Sequence, residues 1–277
     1  MRAPTLRRVG WAAPPLAALL ILLVYPMLQV VATSFDAVGS GAPGQAWPTV
    51  LGDPAVHRAL LTTLQVAAMT TLGCLVLGVF LALVLAYVPF PGAGAVTRLV
   101  EAVISFPSFL IPLAFGTLFG PVGIVNTAIT GTTGAAEGPL QFMGSVHGVV
   151  LAEVAYFTPF IVRPVLAAFQ RLPPDQINAA SSLGAHPGRI VGQVILPGAY
   201  PAIAGAGVLV FMLALNEFGI ILFTGAQDVV TLPLMVYTRA IVTFDLPGAS
   251  VIACLQAAVS LLVYFAYSRL FVRRSGR

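Results

Sequence analysis

Six long apolar stretches constrain this chain more than any other feature. They lie at about 11–33, 60–88, 96–119, 146–169, 201–223 and 249–271. An α-helix needs about 20 mostly apolar residues to cross the hydrocarbon layer of a bilayer. Inside that layer every backbone polar group must be satisfied within its own segment, which favours helix. Composition supports the same reading: 58% of the 277 residues are hydrophobic and only 8% are charged. Soluble domains carry about 25% charge, so this chain has too little to cover its own surface in water. The expectation is an all-α polytopic membrane protein with six transmembrane helices, forming one domain over 11–271. The first stretch follows Arg2, Arg7 and Arg8, as a secretory signal would. Signal cores run only about 7–15 residues, so this longer stretch is read as a retained helix.

Arginine placement predicts direction. With the N-terminus inside, the cytoplasmic segments hold Arg2, Arg7, Arg8, Arg98, Arg171, Arg189, Arg273, Arg274 and Arg277. Arg163 and Arg269 lie near inner helix ends, where long side chains can reach the interface. Only Arg58 and Arg239 fall outside, among Asp36, Asp53, Glu137, Asp228 and Asp245. The positive-inside rule then puts both termini, 1–10 and 272–277, in the cytoplasm. The outer connections at 34–58 and 120–145 are rich in Gly, Pro and Thr, with Trp47 and Phe142 as their amphipathic aromatics.

The basic residues exclude chemistry. All 13 are Arg and none is Lys, so a phosphate-binding loop with its GK[ST] lysine is impossible. Lysine Schiff-base chemistry is excluded as well. Cys74 and Cys254 both sit in apolar stretches and read as small buried hydrophobes. His57, His147 and His186 are scattered, with no HExxH or GxSxG. No enzyme activity, cofactor, metal or nucleic-acid partner is expected.

One polar island interrupts the apolar pattern, at 172–197. Pro173 and Pro174 suit a helix start, and Asp175 favours the dipole of the first turn. Ile177, Ala180 and Leu183 share one helical face by spacing. Gly184 fits the left-handed position past a helix end. A second short helix is expected from Pro187, stopping at Pro197.

The spacing of this island carries a resemblance. Asn178-Ala-Ala-Ser-Ser-Leu-Gly184, then nine residues, then Val194-Ile-Leu-Pro197, resembles the EAA loop of bacterial ABC-importer permeases. Ala179, Ala180, Gly184, Leu196 and Pro197 match that motif, and Asn178 stands where it has Glu. Gly120-Pro-Val-Gly-Ile-Val-Asn126 is similar to a segment after the third span of these permeases. The resemblance implies the type I ABC-importer permease (MetI-like) fold in a bacterial inner membrane. It implies that 172–197 is the coupling loop seated on a separate ATPase subunit. It also implies a second permease subunit, identical or not, and an extracytoplasmic substrate-binding protein, with membrane lipid around the chain.

Two acids fall within apolar stretches, Glu153 and Glu217. A charge at the bilayer centre costs roughly 2.5–3.5 kcal/mol on insertion scales, so such groups face the protein interior or water. Asn216, Glu217 and Gly219 are pore or gate candidates, with Gly219 allowing close packing or a bend. Asn216-Glu-Phe-Gly-Ile-Ile-Leu-Phe-Thr-Gly225, Thr231-Leu-Pro-Leu-Met-Val-Tyr237 and Phe244-Asp245 resemble permeases for 2-aminoethylphosphonate. Related permeases move ferric iron, thiamine, polyamines, sulfate or molybdate, which are the alternative substrates. An ion-coupled secondary transporter is the alternative from another class, and would typically show paired broken helices.

Overall fold

The computed structural model describes residues 14–37, 42–135, 138–140 and 144–271. Arg2, Arg7, Arg8, Glu137, Phe142, Arg273, Arg274, Arg277 and both terminal segments lie outside these. The described residues form helices and connections with no strand. In chain order the helices are α1 (Pro14–Thr33), α2 (Ala46–Leu51), α3 (Pro54–Tyr87), α4 (Ala93–Val103), α5 (Leu110–Phe119) and α6 (Ile124–Thr133). They continue as α7 (Val146–Gln170), α8 (Pro174–Ser182), α9 (Pro187–Leu215), α10 (Gly219–Thr224), α11 (Leu232–Val242) and α12 (Leu246–Phe271). Six segments are long and apolar enough to cross a membrane: α1, α3, Leu110–Thr133, α7, α9 and α12.

The chain divides into two compact units. The first combines residues up to Leu60 with Leu232–Val259. Its core joins Ala46 and Val50 of α2, Val56 and Ala59 of α3, Leu232 of α11, and Val251 and Ile252 of α12. Trp47 flanks this core and donates its indole N–H to the buried Ser34 hydroxyl at 3.2 Å. Asp53 and Asp245 each use one carboxylate oxygen to cap a helix start, accepting Ala55 N–H and Gly248 N–H respectively. Their other oxygens both meet the Arg239 guanidinium, at 2.9 and 3.3 Å. A rigid planar fork with several donors suits this double engagement better than an ammonium would.

The second unit combines Leu61–Thr231 with the residues from Ser260 onward. Within it α7 is the most buried spanning helix. It packs tightly on α3, where a Cβ at Gly73 would stand 2.6 Å from Val154 and one at Gly78 2.7 Å from Ile161. Missing side chains let backbones approach where no hydrophobic effect separates helix from lipid. α7 also packs along α9.

Two segments depart from the expected spans. The third, expected at 96–119, is broken: α4 ends at Val103, and α5 begins only at Leu110. Pro107 lacks a backbone donor and disfavours helix at Phe106. The membrane-length segment is instead Leu110–Thr133, itself interrupted at Gly120–Gly123. The fifth, expected at 201–223, begins at Pro187, ends at Leu215, and resumes after a break as α10.

Candidate functional site

The polar island folds as its residues direct, with two corrections. Pro173 is extended, Pro174 occupies the first turn of α8, and Asp175 joins it there. The helix closes with Gly184 at φ +79°. Ala185 N–H bonds Ala180 C=O at 3.1 Å, and Gly184 N–H bonds Ser181 C=O at 2.9 Å. This pair of bonds is the Schellman closure, which needs a left-handed residue. Asn178 and Ala179 are exposed, while Ile177 and Ala180 are half-buried where α8 packs on the start of α9. Leu183, expected on the Ile177 face, is instead 88% exposed. It is the C-cap, where α8 gives way to the left-handed turn at Gly184.

The second correction is Pro197, which stops nothing. α9 starts at Pro187 after the extended His186, and runs on through Pro197 and Pro201. Just before Pro197 the helix widens into a π turn, Val191–Ile195, and Leu196 N–H reaches back to Val191 C=O. The wider turn relieves the clash between a proline ring and the carbonyl four residues earlier. The same device occurs in α1, where a π turn at Leu20–Val24 precedes Pro26. Asn178, Ala179, Ala180 and Gly184 therefore sit together on α8 and its cap. Leu196 and Pro197 lie apart from them on α9, lining an apolar groove of about 830 Å³ with Leu75, Val79, Phe80 and Tyr200.

The break between α9 and α10 holds the other candidates. Asn216 caps the end of α9, its side-chain N–H donating to Met212 C=O at 2.8 Å. Glu217 Oε1 accepts two bonds, from Ile220 N–H at 2.9 Å and from the Ser108 hydroxyl at 3.1 Å. The first satisfies an orphan donor at the start of α10. The second ties this break to the one between α4 and α5. A Cβ on Gly219 would stand 3.1 Å from Ser108 Oγ and 3.4 Å from Glu217 Oε1. Phe109 and Phe223 stack beside them with ring centroids 5.3 Å apart. Glu217 and Gly219 thus meet Ser108, the member that sequence reasoning missed, while Asn216 bonds back into α9 beside them. The missed signal was the Pro107 break in an otherwise apolar run.

Glu153 is accommodated differently. It is fully buried on α7, and its Oε2 accepts the Thr70 hydroxyl of α3 at 2.5 Å. Its Oε1 has no hydrogen-bond partner among the described residues. Asn126 is also fully buried, but is satisfied on both sides. Its N–H group donates to Gly120 C=O and Leu140 C=O at 2.9 and 2.7 Å, and its Oδ1 accepts Leu140 N–H at 3.0 Å. The Gly120–Asn126 motif therefore works as a stitch that holds residues 138–140 against the start of α6.

Comparisons with known proteins agree with this architecture. Residues 74–276 match the family described as binding-protein-dependent transport system inner membrane component. The chain is 40% identical over 274 residues to PhnU of Salmonella typhi, named as a 2-aminoethylphosphonate transport system permease protein. That alignment covers 99% of this chain and 94% of the relative. It is 29% identical to ModB of Mycobacterium bovis, named as a molybdenum transport system permease protein, over 94% of this chain and 89% of that one. Among solved structures, a chain of a bacterial ABC transporter involved in alginate import superposes with a TM-score of 0.83. It shares 18% identity and covers 97% of this chain and 96% of its own, which shows the common fold.

Proposed function

Since the chain belongs to the family of binding-protein-dependent transport system inner membrane components, we propose that it is a permease subunit of an ATP-driven importer for 2-aminoethylphosphonate. The observation that carries the substrate is the 40% identity to PhnU along nearly the whole chain. The molybdenum permease is more distant, at 29%. Two permease subunits, identical or different, enclose the path, and an extracytoplasmic binding protein delivers the solute. ATP is hydrolysed on a separate subunit, because this chain has no Lys for a phosphate-binding loop.

Force enters at 172–197 on the cytoplasmic side. There α8 presents Asn178, Ala179 and Leu183 outward, while Ala180 packs inward and Gly184 closes the helix. Asn178 replaces the motif's acid, so this contact relies on amide hydrogen bonding and on the exposed Leu183 rather than on an ion pair. Leu196 and Pro197 carry displacement of α8 into the fifth spanning helix, since α9 is continuous from Pro187 to Leu215. Asn216, Glu217 and Gly219 form a gate element where that helix breaks.

Deletion of the gene in its host tests the reading. Growth with 2-aminoethylphosphonate as sole phosphorus source should be lost, while growth on inorganic phosphate is kept. Unimpaired growth on the phosphonate, with loss of molybdate or sulfate uptake instead, would overturn the substrate.

A further inference from the structure

Arg163 stands further from a helix end than any other described arginine in a spanning helix. From Arg163 to the end of α7 at Gln170 is about 10 Å of helix. Its partner Glu101 lies about 12 Å along α4 from the start at Ala93. α4 follows directly on the inner end of α3, and α7 ends just before 172–197, so both distances run from the proposed cytoplasmic side. Helical side chains lean toward the N-terminus of their own helix. On α7 this turns Arg163 away from the cytoplasmic end and toward the middle of the span.

The pair is loose. It rests on Nε to Oε1 at 3.6 Å, longer than a hydrogen bond. Arg239, by contrast, engages two carboxylates, the closer at 2.9 Å. Charges at this depth face protein or water rather than lipid. The pair lies at the surface of this chain, so in the assembled transporter it meets the enclosed path or the second permease subunit. Two observations favour the path. A long single contact leaves the guanidinium free to exchange its partner. Tyr156 also stands two turns earlier on the same face of α7, within electrostatic reach of Glu217 at the α9–α10 break. The proposed gate element and Arg163 thus follow one another along one side of α7.

We propose that Arg163 receives the phosphonate of the solute in the cytoplasmic half of the path, displacing Glu101. The proposal rests on the reading of the chain as a 2-aminoethylphosphonate permease. A guanidinium is permanently charged and planar, and its paired donors match two oxygens of such an anion. Glu101 pairs the charge while the path is empty, and competes with the solute for it. The contact reads the anionic end alone, so it does not choose among oxyanions.

Arg163→Gln and Glu101→Gln each break the pair, but only the first removes the guanidinium. The test uses vesicles holding the whole transporter with its ATPase and binding protein, and labelled 2-aminoethylphosphonate. Arg163→Gln should lower uptake by about 10-fold or more. Glu101→Gln should lower it far less, leaving the two variants about five-fold or more apart. Arg163→Lys keeps the charge without the planar fork and should recover part of the uptake. ATP hydrolysis stimulated by the loaded binding protein should stay within about two-fold of wild type in each variant, with the second permease subunit still co-purifying. Equal losses in Arg163→Gln and Glu101→Gln would overturn the proposal and mark the pair as a structural tie. So would a parallel fall in stimulated hydrolysis, loss of the second subunit from the purified Arg163→Gln complex, or Arg163→Gln uptake within about two-fold of wild type. If the wild type carries sulfate or molybdate instead, and Arg163→Gln loses it, the substrate reading falls while this inference stands. If it carries only a cation such as a polyamine, both fall.

Discussion

Glu153 and Glu217 differ in what surrounds their second oxygen. Glu153 is sealed between α7 and α3, so an ionised carboxylate there would have one hydrogen bond and no water. We predict that Glu153→Gln keeps the Thr70 bond and stays within about 1 kcal/mol of wild type. Glu153→Ala leaves the Thr70 hydroxyl unmatched beside a cavity, and should lose about 1–3 kcal/mol. Thermal unfolding of the purified protein in detergent distinguishes these outcomes. Arg239 is a second residue-scale case, opposing two carboxylates that already cap helices. The three side chains are 22–32% exposed, so solvent screens the pairs. Arg239→Ala should therefore cost only about 1 kcal/mol, and less as salt is raised. An unfolding midpoint unchanged at low salt would contradict this. Both intramembrane acids were legible as charges in apolar runs. Their partners were not, because Thr70 lies 83 residues from Glu153 and Ser108 lies 109 residues from Glu217. Such contacts are made by packing, which spacing along the chain does not encode.

At the scale of elements, the ends of the second and fourth spans were read within a residue, whereas the second and fifth begin well before their expected starts at 60 and 201. Pro174 after an extended residue and Gly184 after α8 are visible signals whose geometry the fold uses. Proline was ambiguous. Pro107 breaks a helix, whereas Pro26 and Pro197 are absorbed by π turns. The residue alone therefore does not decide. As the proposed coupling helix, α8 permits two predictions. Gly184→Val forces a β-branched residue into φ +79° and should cost about 1–2 kcal/mol locally. That loss should be read as weaker co-purification of the ATPase subunit. Leu183→Asp leaves α8 folded, since the side chain touches little of its own chain. It should nonetheless reduce ATPase association by about 10-fold or more, if Leu183 is an apolar anchor of that interface. Undiminished association would remove Leu183 from the contact.

For the whole molecule, composition and the count of apolar stretches were enough to read an all-α chain with six membrane-length helices. The motif at Asn178–Pro197 was enough to read the family, because its spacing reflects a helix, a left-handed turn and a re-entry that must recur together. The division into two units was not legible, since it joins residues up to Leu60 with Leu232–Val259 across most of the chain. The third span was misplaced because hydropathy does not register a proline break. What the family and the fold support together is a binding-protein-dependent permease, and the proposed aminophosphonate solute rests on the 40% identity to PhnU. The most direct measurement is uptake of labelled 2-aminoethylphosphonate by vesicles reconstituted with this chain, its ATPase and its binding protein. Accumulation should require ATP inside the compartment that faces α8, and should vanish when the ATPase is omitted. Accumulation driven by an ion gradient without ATP would contradict the account, as would ATP-driven transport of other solutes with none of the aminophosphonate.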